Sequence, residues 1–223
     1  MITYEEVLAR LFAHRDEKYA AFHFGLLKNE NVHLIGVRTP DLRKLSKEWK
    51  GEADNFLSFP DEYYEVTFLK CALVGMLPYT DFVTRVDRVV PLLDNWATCD
   101  MFTAPCVKKH RGEFLPFIKK YLQSDKEFTV RYGLVMLLHY YVEEEYLPLI
   151  FESVRELKRE EYYIMMGAAW LIAEVLVKHY DEGVRFLQES KCHKVMHNKA
   201  IQKACESFRI SQQQKVFLKS LKR

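Results

Sequence analysis

Trp96 and Asp100 stand four residues apart in the stretch Asp94-Asn95-Trp96-Ala97-Thr98-Cys99-Asp100. In a helix that spacing puts an indole and a carboxylate on one face, one turn from each other. A carboxylate beside a large aromatic is a site for positive charge: the anion supplies charge and the ring face a quadrupole, and both attract a cation more strongly when partly shielded from water. A plainer reading of the same residues is a core Trp and an Asp near a helix end. Two other residues belong with them. Arg131, in Thr129-Val130-Arg131-Tyr132-Gly133, begins an otherwise apolar helix, and its guanidinium offers a bidentate fork to a phosphate or to a carboxylate such as Asp100. Trp170, in Met166-Gly167-Ala168-Ala169-Trp170, sits among small residues that admit a backbone or ligand closely, or packs as a core Trp.

The elements that must position these side chains are helical. With 8 Gly and 7 Pro in 223 residues and 49% hydrophobic content, the chain has few breakers and ample material for a core. Residues 3–27 read as one long or two short helices, with Val7, Leu8, Leu11 and Phe12 on one side, followed by Tyr19, Phe22, His23, Leu26 and Leu27. A turn at Lys28-Asn29-Glu30-Asn31 ends them. Thr39-Pro40-Asp41 reads as a helix start, with Thr39 as cap and Pro40 at the first helical position, and that helix runs to about Trp49.

A repeat follows. Val89-Val90-Pro91-Leu92-Leu93, Phe114-Leu115-Pro116-Phe117-Ile118 and Tyr146-Leu147-Pro148-Leu149-Ile150 share one pattern, in which a proline sits between apolar pairs early in a helical segment. Each leads to a second apolar helix, expected over 99–109, 128–141 and 162–178, and residues 61–77 and 197–208 read as further second helices. Units of roughly 25 to 40 residues are the pattern of helix pairs stacked as an α-solenoid of HEAT type. The expected fold is therefore all-α, a solenoid of HEAT-like helix pairs, with 1–223 as a single repeat domain. Asp100, Arg131 and Trp170 fall at corresponding places in three successive second helices, and Trp96 leads into the first. On that register the four would converge on one concave surface.

The net charge of +2 conceals an asymmetry: residues 191–223 hold nine Lys or Arg against Glu206 alone, +8, while the first 190 residues carry −6. A polyanion such as nucleic acid is the partner such a positive end selects, the alternative being a solvated Lys-rich helix. The acidic N-terminal residues lack a signal-peptide pattern, and the most apolar run, 165–177, contains Glu174 and is shorter than the ~20 residues a bilayer needs. A cytoplasmic protein working without a membrane is expected. Five cysteines without paired spacing suit reduced thiols. Cys192, His193 and His197, with His179 and Cys205, match no closed zinc pattern, so no metal or other cofactor is expected. Cys99 or Cys106 near His110 is a weaker candidate for nucleophile and base.

Taken together, Gly36-Val-Arg-Thr-Pro-Asp-Leu-Arg43, Asn95-Trp96-Ala-Thr-Cys-Asp100, Thr129-Val-Arg131-Tyr-Gly-Leu-Val-Met136, Ala168-Ala-Trp170 and the tail from His197 to Arg209 span nearly the whole chain. In these motifs the sequence resembles the AlkD-like DNA alkylation repair proteins, HEAT-like solenoids that include glycosylases for N-alkylated purines. The most specific element is Trp-x3-Asp followed about thirty residues later by Val-Arg. The resemblance implies that Asp100 is the catalytic carboxylate, that Arg131 holds the DNA backbone near the lesion, and that Trp96 and Trp170 wall the damaged nucleotide. It implies a monofunctional glycosylase acting on duplex DNA with alkylated bases, and a solenoid with an exposed concave face can do this as a monomer. Phosphate contacts are expected from Lys108, Lys109 and Arg111, from Arg155, Lys158 and Arg159, and from Lys194, Lys199 and Lys203. The alternative is a helical-repeat module that binds DNA structures or protein without catalysis.

Overall fold

A computed structural model describes residues 2–223. Among the described residues there are helices and connecting loops and no strand, so the chain is all-α. The helices gather into two compact units, one reaching His110 and one beginning at Arg111.

The first unit opens with α1 (Tyr4–Ala13), started by a capping box in which Thr3 and Glu6 satisfy each other's backbone N–H groups. α2 (Glu17–Leu27) is capped by Asp16 and stopped by Lys28 in the left-handed conformation. The 3–27 segment is thus two short helices. Of the residues expected on the inner side of α2, His23 and Leu27 are buried, whereas Phe22 is 63% exposed and Leu26 half exposed. A seam four residues long buries one stripe of the helix and leaves its flanks outside.

α3 (Thr39–Glu48) begins with Thr39 and Pro40 already inside its first turn; the cap position is Arg38, which makes no side-chain capping bond. Thr39 is therefore not the cap. Then come α4 (Ala53–Phe56), α5 (Tyr64–Gly75), α6 (Tyr79–Val83), α7 (Val86–Val89) and α8 (Trp96–Met101). α5 is buried on nearly every side and packs against α3, α4, α7 and α8, which makes it the centre of this unit. Gly75 at its end lets the segment after α8 close on it, since a Cβ there would lie 2.2 Å from the Thr103 carbonyl oxygen.

Two expected features of this unit are corrected. Pro91 ends a helical segment instead of opening one: it lies in a 3-10 turn, Val90–Leu92, directly after α7. The helix expected over 99–109 is two pieces, α8 and a 3-10 turn at Pro105–Lys109. Pro105 lacks an N–H and drives Ala104 out of the helical region, so the chain cannot continue as one helix.

The second unit comprises α9 (Arg111–Leu122), α10 (Glu127–Tyr140), α11 (Leu147–Arg155), α12 (Tyr162–Lys178), α13 (Tyr180–Glu189), α14 (Lys194–Glu206) and α15 (Gln212–Ser220). α10, α12 and α14 lie side by side in that order, with α9 against α10, α13 against α12 and α15 against α14. α11 reaches α13 through the stacked rings of Phe151 and Phe186, 4.7 Å apart. Successive second helices forming a layer of their own is the packing of a helical solenoid. Pro148 sits in the first turn of α11 as expected, whereas Pro116 lies inside α9 and removes one of its backbone bonds.

Each unit also buries a histidine. His23 lies edge-on to Tyr64 at 4.9 Å, and His197 bonds the Leu221 carbonyl through Nε2 at 2.9 Å. Burial penalises the imidazolium and lowers both pKa values below 6.5; for His197 the nearby Arg223 adds to the effect. As pH falls through 6.5 the unfolded chain takes up these protons and the folded chain does not, so stability falls with pH below about 6.5. The carboxylates held low by their partners, Asp16, Asp54, Glu161 and Glu206, titrate below 4.5 and leave that window to the histidines. Thermal melts at pH 7.5 and pH 5 should show a lower midpoint in acid. In His23→Gln/His197→Gln the acid drop should shrink; an equal drop would assign it to other groups.

Candidate functional site

The Trp96–Asp100 pair is on the single helix that the spacing required. Asn95, itself buried, caps α8 by accepting the Thr98 N–H at 2.9 Å, and its amide donates to the Asp94 carboxylate at 2.7 Å. The loop before α8 is tied to the end of α2 twice. Asn29 donates to the Asp94 carbonyl at 2.9 Å, and the Trp96 indole N–H donates to the Leu26 carbonyl at 3.2 Å. Leu26 is in the last turn of α2, where backbone carbonyls have no partner within the helix, so the indole satisfies one of them and is itself oriented. Trp96 and Asp100 are both partly exposed. Asp100 lies in the last turn of α8, where the partial negative charge of the helix end adds to its own and strengthens the attraction for a cation.

What holds α2 in place was not read from the sequence. Glu65, 1% exposed on α5, accepts the backbone N–H groups of Ile35 (3.0 Å), Gly36 (2.7 Å) and Val37 (3.1 Å). Gly36 has φ +100°, and a Cβ on it would lie 2.6 Å from the Asp16 carbonyl oxygen and 2.7 Å from the Ala20 Cβ. Its own carbonyl accepts the Asp16 N–H at 3.0 Å. Arg38 then clamps the Asp16 carboxylate through Nε and Nη2, at 3.0 and 2.7 Å. These bonds, with the Tyr19 N–H first among them, hold the Asp16 carboxyl below its ordinary pKa. The Gly36–Arg43 motif is thus explained by backbone packing: it seats α2, and α2 seats Trp96.

The residue after Asp100 leads to a groove of about 820 Å³. It is lined by Met76, Met101 and Thr103 together with Arg43, Lys47 and Lys50. These three exposed cations were also missed; Arg43 and Lys47, four apart, share a face of α3, and Lys50 follows in the turn after it.

In the second unit Arg131 and Trp170 lie on neighbouring helices. Arg131 is only 5% exposed; its Nη1 donates to the Tyr163 carbonyl at 2.7 Å and its guanidinium lies 6.0 Å from the Tyr163 ring centroid. Gly167 faces Arg131 and Leu134, and a Cβ there would stand at ordinary contact distance from both, 3.5 and 3.4 Å. Trp170 itself is 37% exposed and is not a core residue. It lines a hollow of about 610 Å³ with Glu174, Lys203, Phe208 and Arg209.

The basic residues expected at phosphates divide by environment. Lys108 and Lys109 are exposed on the 3-10 turn, and Lys158 and Lys194 are exposed in the second unit. Arg155 is exposed with its guanidinium over the Phe186 ring at 5.2 Å. Lys199 is half-buried, 3.4 Å from the Gln202 side-chain oxygen, and Lys203 pairs with Glu206 at 2.9 Å beside Trp170. Arg111 and Arg159 are used by the fold. Arg111 donates to the Tyr140 carbonyl and lies 3.5 Å from Glu143, while Arg159 bonds Glu161 and the Ser124 carbonyl. Among the thiols, Cys99 is buried and burial pushes Cys106 up, which suits neither to be a nucleophile.

The side-by-side second helices of the second unit, in an all-α chain, are packed as in a helical solenoid. A sequence model of the family described as DNA alkylation repair enzyme matches residues 7–208, and the chain belongs to that family. Its role is in DNA alkylation repair. A search of curated proteins finds no match. Among the described residues no helix is long and apolar enough to cross a membrane.

Proposed function

We propose that the protein is a monofunctional DNA glycosylase that hydrolyses the N-glycosidic bond of positively charged N3- and N7-alkylated purines, such as 3-methyladenine and 7-methylguanine, in duplex DNA. The observation that carries this reading is the Trp96–Asp100 pair on one short, anchored helix in a chain of this repair family. Alkylation makes the purine cationic and therefore a good leaving group. The C1′–N bond breaks with its electron pair leaving on the base, which becomes neutral, while positive charge develops on the sugar. Asp100 stabilises that charge and orients the water that adds to C1′, and the face of Trp96 favours the same cation. Because the leaving group is already activated by its charge, the reaction asks for no metal, cofactor or lysine nucleophile.

On this reading one HEAT-like chain works as a monomer. The exposed lysines and Arg155 supply salt-dependent, sequence-independent phosphate contacts, joined by Arg43, Lys47 and Lys50 along the Met101 groove. The test is release of 7-methylguanine and 3-methyladenine from methylated duplex DNA. Release above the spontaneous rate supports the glycosylase. No release, with salt-dependent DNA binding retained, would reduce the protein to a binding module.

A further inference from the structure

Phe208 is 94% exposed, the most exposed large apolar side chain among the described residues, and it contributes nothing to the core. It is not on a loose end. The loop between α14 and α15 is pinned on both sides: Ser207 closes α14 and its hydroxyl accepts the Arg209 N–H at 3.2 Å, Ile210 is buried, and Ser211 forms a capping box with Gln214 at the start of α15. A fixed turn therefore holds a bare aromatic ring in solvent. Beside it is the hollow of about 610 Å³ to which Trp170 presents its own partly exposed ring. Arg209 lies 3.3 Å from Glu174, which is shared with Lys178 at 3.4 Å, and both contacts are long for ion pairs. The turn also belongs to the 191–223 segment with its charge of +8.

We infer that Phe208 and Arg209 form a strand-gripping element: the Phe208 ring stacks on a nucleobase at an unpaired or partly unstacked step of DNA, and Arg209 exchanges Glu174 for the adjoining phosphate. A flat apolar ring flanked by cations complements a base and its phosphate, because every base offers a π-face and every linkage a negative charge. An apolar wedge at a base step works where stacking is already weakened, so damaged or mismatched positions favour it. Trp170 gives the displaced nucleotide a second aromatic surface across the hollow. This inference rests on the DNA-binding part of the proposed function and not on excision.

The experiment is fluorescence anisotropy with a labelled duplex, fully paired or carrying one central mismatch, titrated with the full chain at several salt concentrations. Phe208→Ala should weaken binding to the mismatched duplex about tenfold, more than to the paired one, without changing the dependence of log K on log salt. Phe208→Tyr should restore it. Arg209→Gln should weaken both complexes and reduce the salt slope by about one. At its exposed position Phe208→Ala leaves the melting midpoint unchanged, so lost binding is not lost folding. Three results would overturn the inference: no salt-dependent binding by the wild type, binding by Phe208→Ala within about twofold of wild type on both duplexes, or a wild-type dimer in sedimentation that Phe208→Ala abolishes while DNA binding persists. The last would assign Phe208 to contact with a second copy of the chain. Mismatch gripping through Phe208 without alkylpurine release would keep the inference and remove the glycosylase; excision with unchanged Phe208→Ala binding would do the reverse.

Discussion

Asp100→Asn should lower the rate of 7-methylguanine and 3-methyladenine release by about a hundred- to ten-thousandfold while the helical circular dichroism spectrum and melting midpoint stay close to wild type. Asn keeps the shape and volume of the side chain and removes its charge, so the substitution separates electrostatics from packing. The effect is large because the proposed transition state carries positive charge on the sugar, and a fixed carboxylate in a partly shielded site needs no reorganisation to meet it. The position in the last turn of α8 works in the same direction. A neutral amide in that place offers a weaker dipole. Binding of undamaged duplex should change little, since nonspecific affinity comes from phosphate contacts. If release by the folded variant stayed within a few-fold of wild type, Asp100 would be a structural residue and the reaction would need another centre.

Glu65→Ala should cost about 3–5 kcal/mol of folding free energy in urea unfolding, the largest stability loss expected from a single substitution of a polar side chain here. The carboxylate is 1% exposed and accepts three backbone N–H groups. Without it, Ile35, Gly36 and Val37 retain buried donors with no acceptor, and an unsatisfied buried group costs more than the bond contributes. Glu65→Gln should lose less, because one oxygen still serves Gly36 and Val37, while its NH2 meets the N–H of Ile35 as a second donor. The damage extends to α2, because the Gly36 carbonyl holds the Asp16 N–H and α2 carries the Leu26 carbonyl that orients Trp96. At temperatures where Glu65→Gln remains folded, slower alkylpurine release should accompany its lower stability. A loss below about 1 kcal/mol in Glu65→Ala would mean that water replaces the carboxylate at the loop.

Much of this protein follows from local rules. Residues 162–178 form a largely apolar stretch free of Pro, with Gly167 its one glycine, and α12 occupies it from Tyr162 to Lys178. Trp96 and Asp100 share a face because 3.6 residues per turn allow nothing else once 96–101 is helical. Where local reading failed, a proline or a capping competition was decisive. Pro105 split one expected helix into α8 and a 3-10 turn, and Thr39, a good cap by type, was drawn into the first turn with Pro40.

The fate of individual side chains was less legible. Trp170 lies in the most apolar helix and reads equally as core, yet it is more than one-third exposed, whereas Arg131 reads as a ligand fork and lies against Tyr163 and Gly167. Arg111, Arg155 and Arg159 are the same residue type in similarly charged stretches; one serves the Tyr140 carbonyl, one covers Phe186, and one clasps Glu161 and Ser124. Glu65 gave no sign of burial because its three partners lie about thirty residues earlier in the chain. The sequence by itself determined the helices, the paired indole and carboxylate, and the basic end, because backbone periodicity and charge composition are local quantities. Only the tertiary structure decided which ring stays in solvent, which guanidinium is spent inside and which carboxylate holds a loop, because those outcomes depend on the surface that a second, distant helix brings against each side chain.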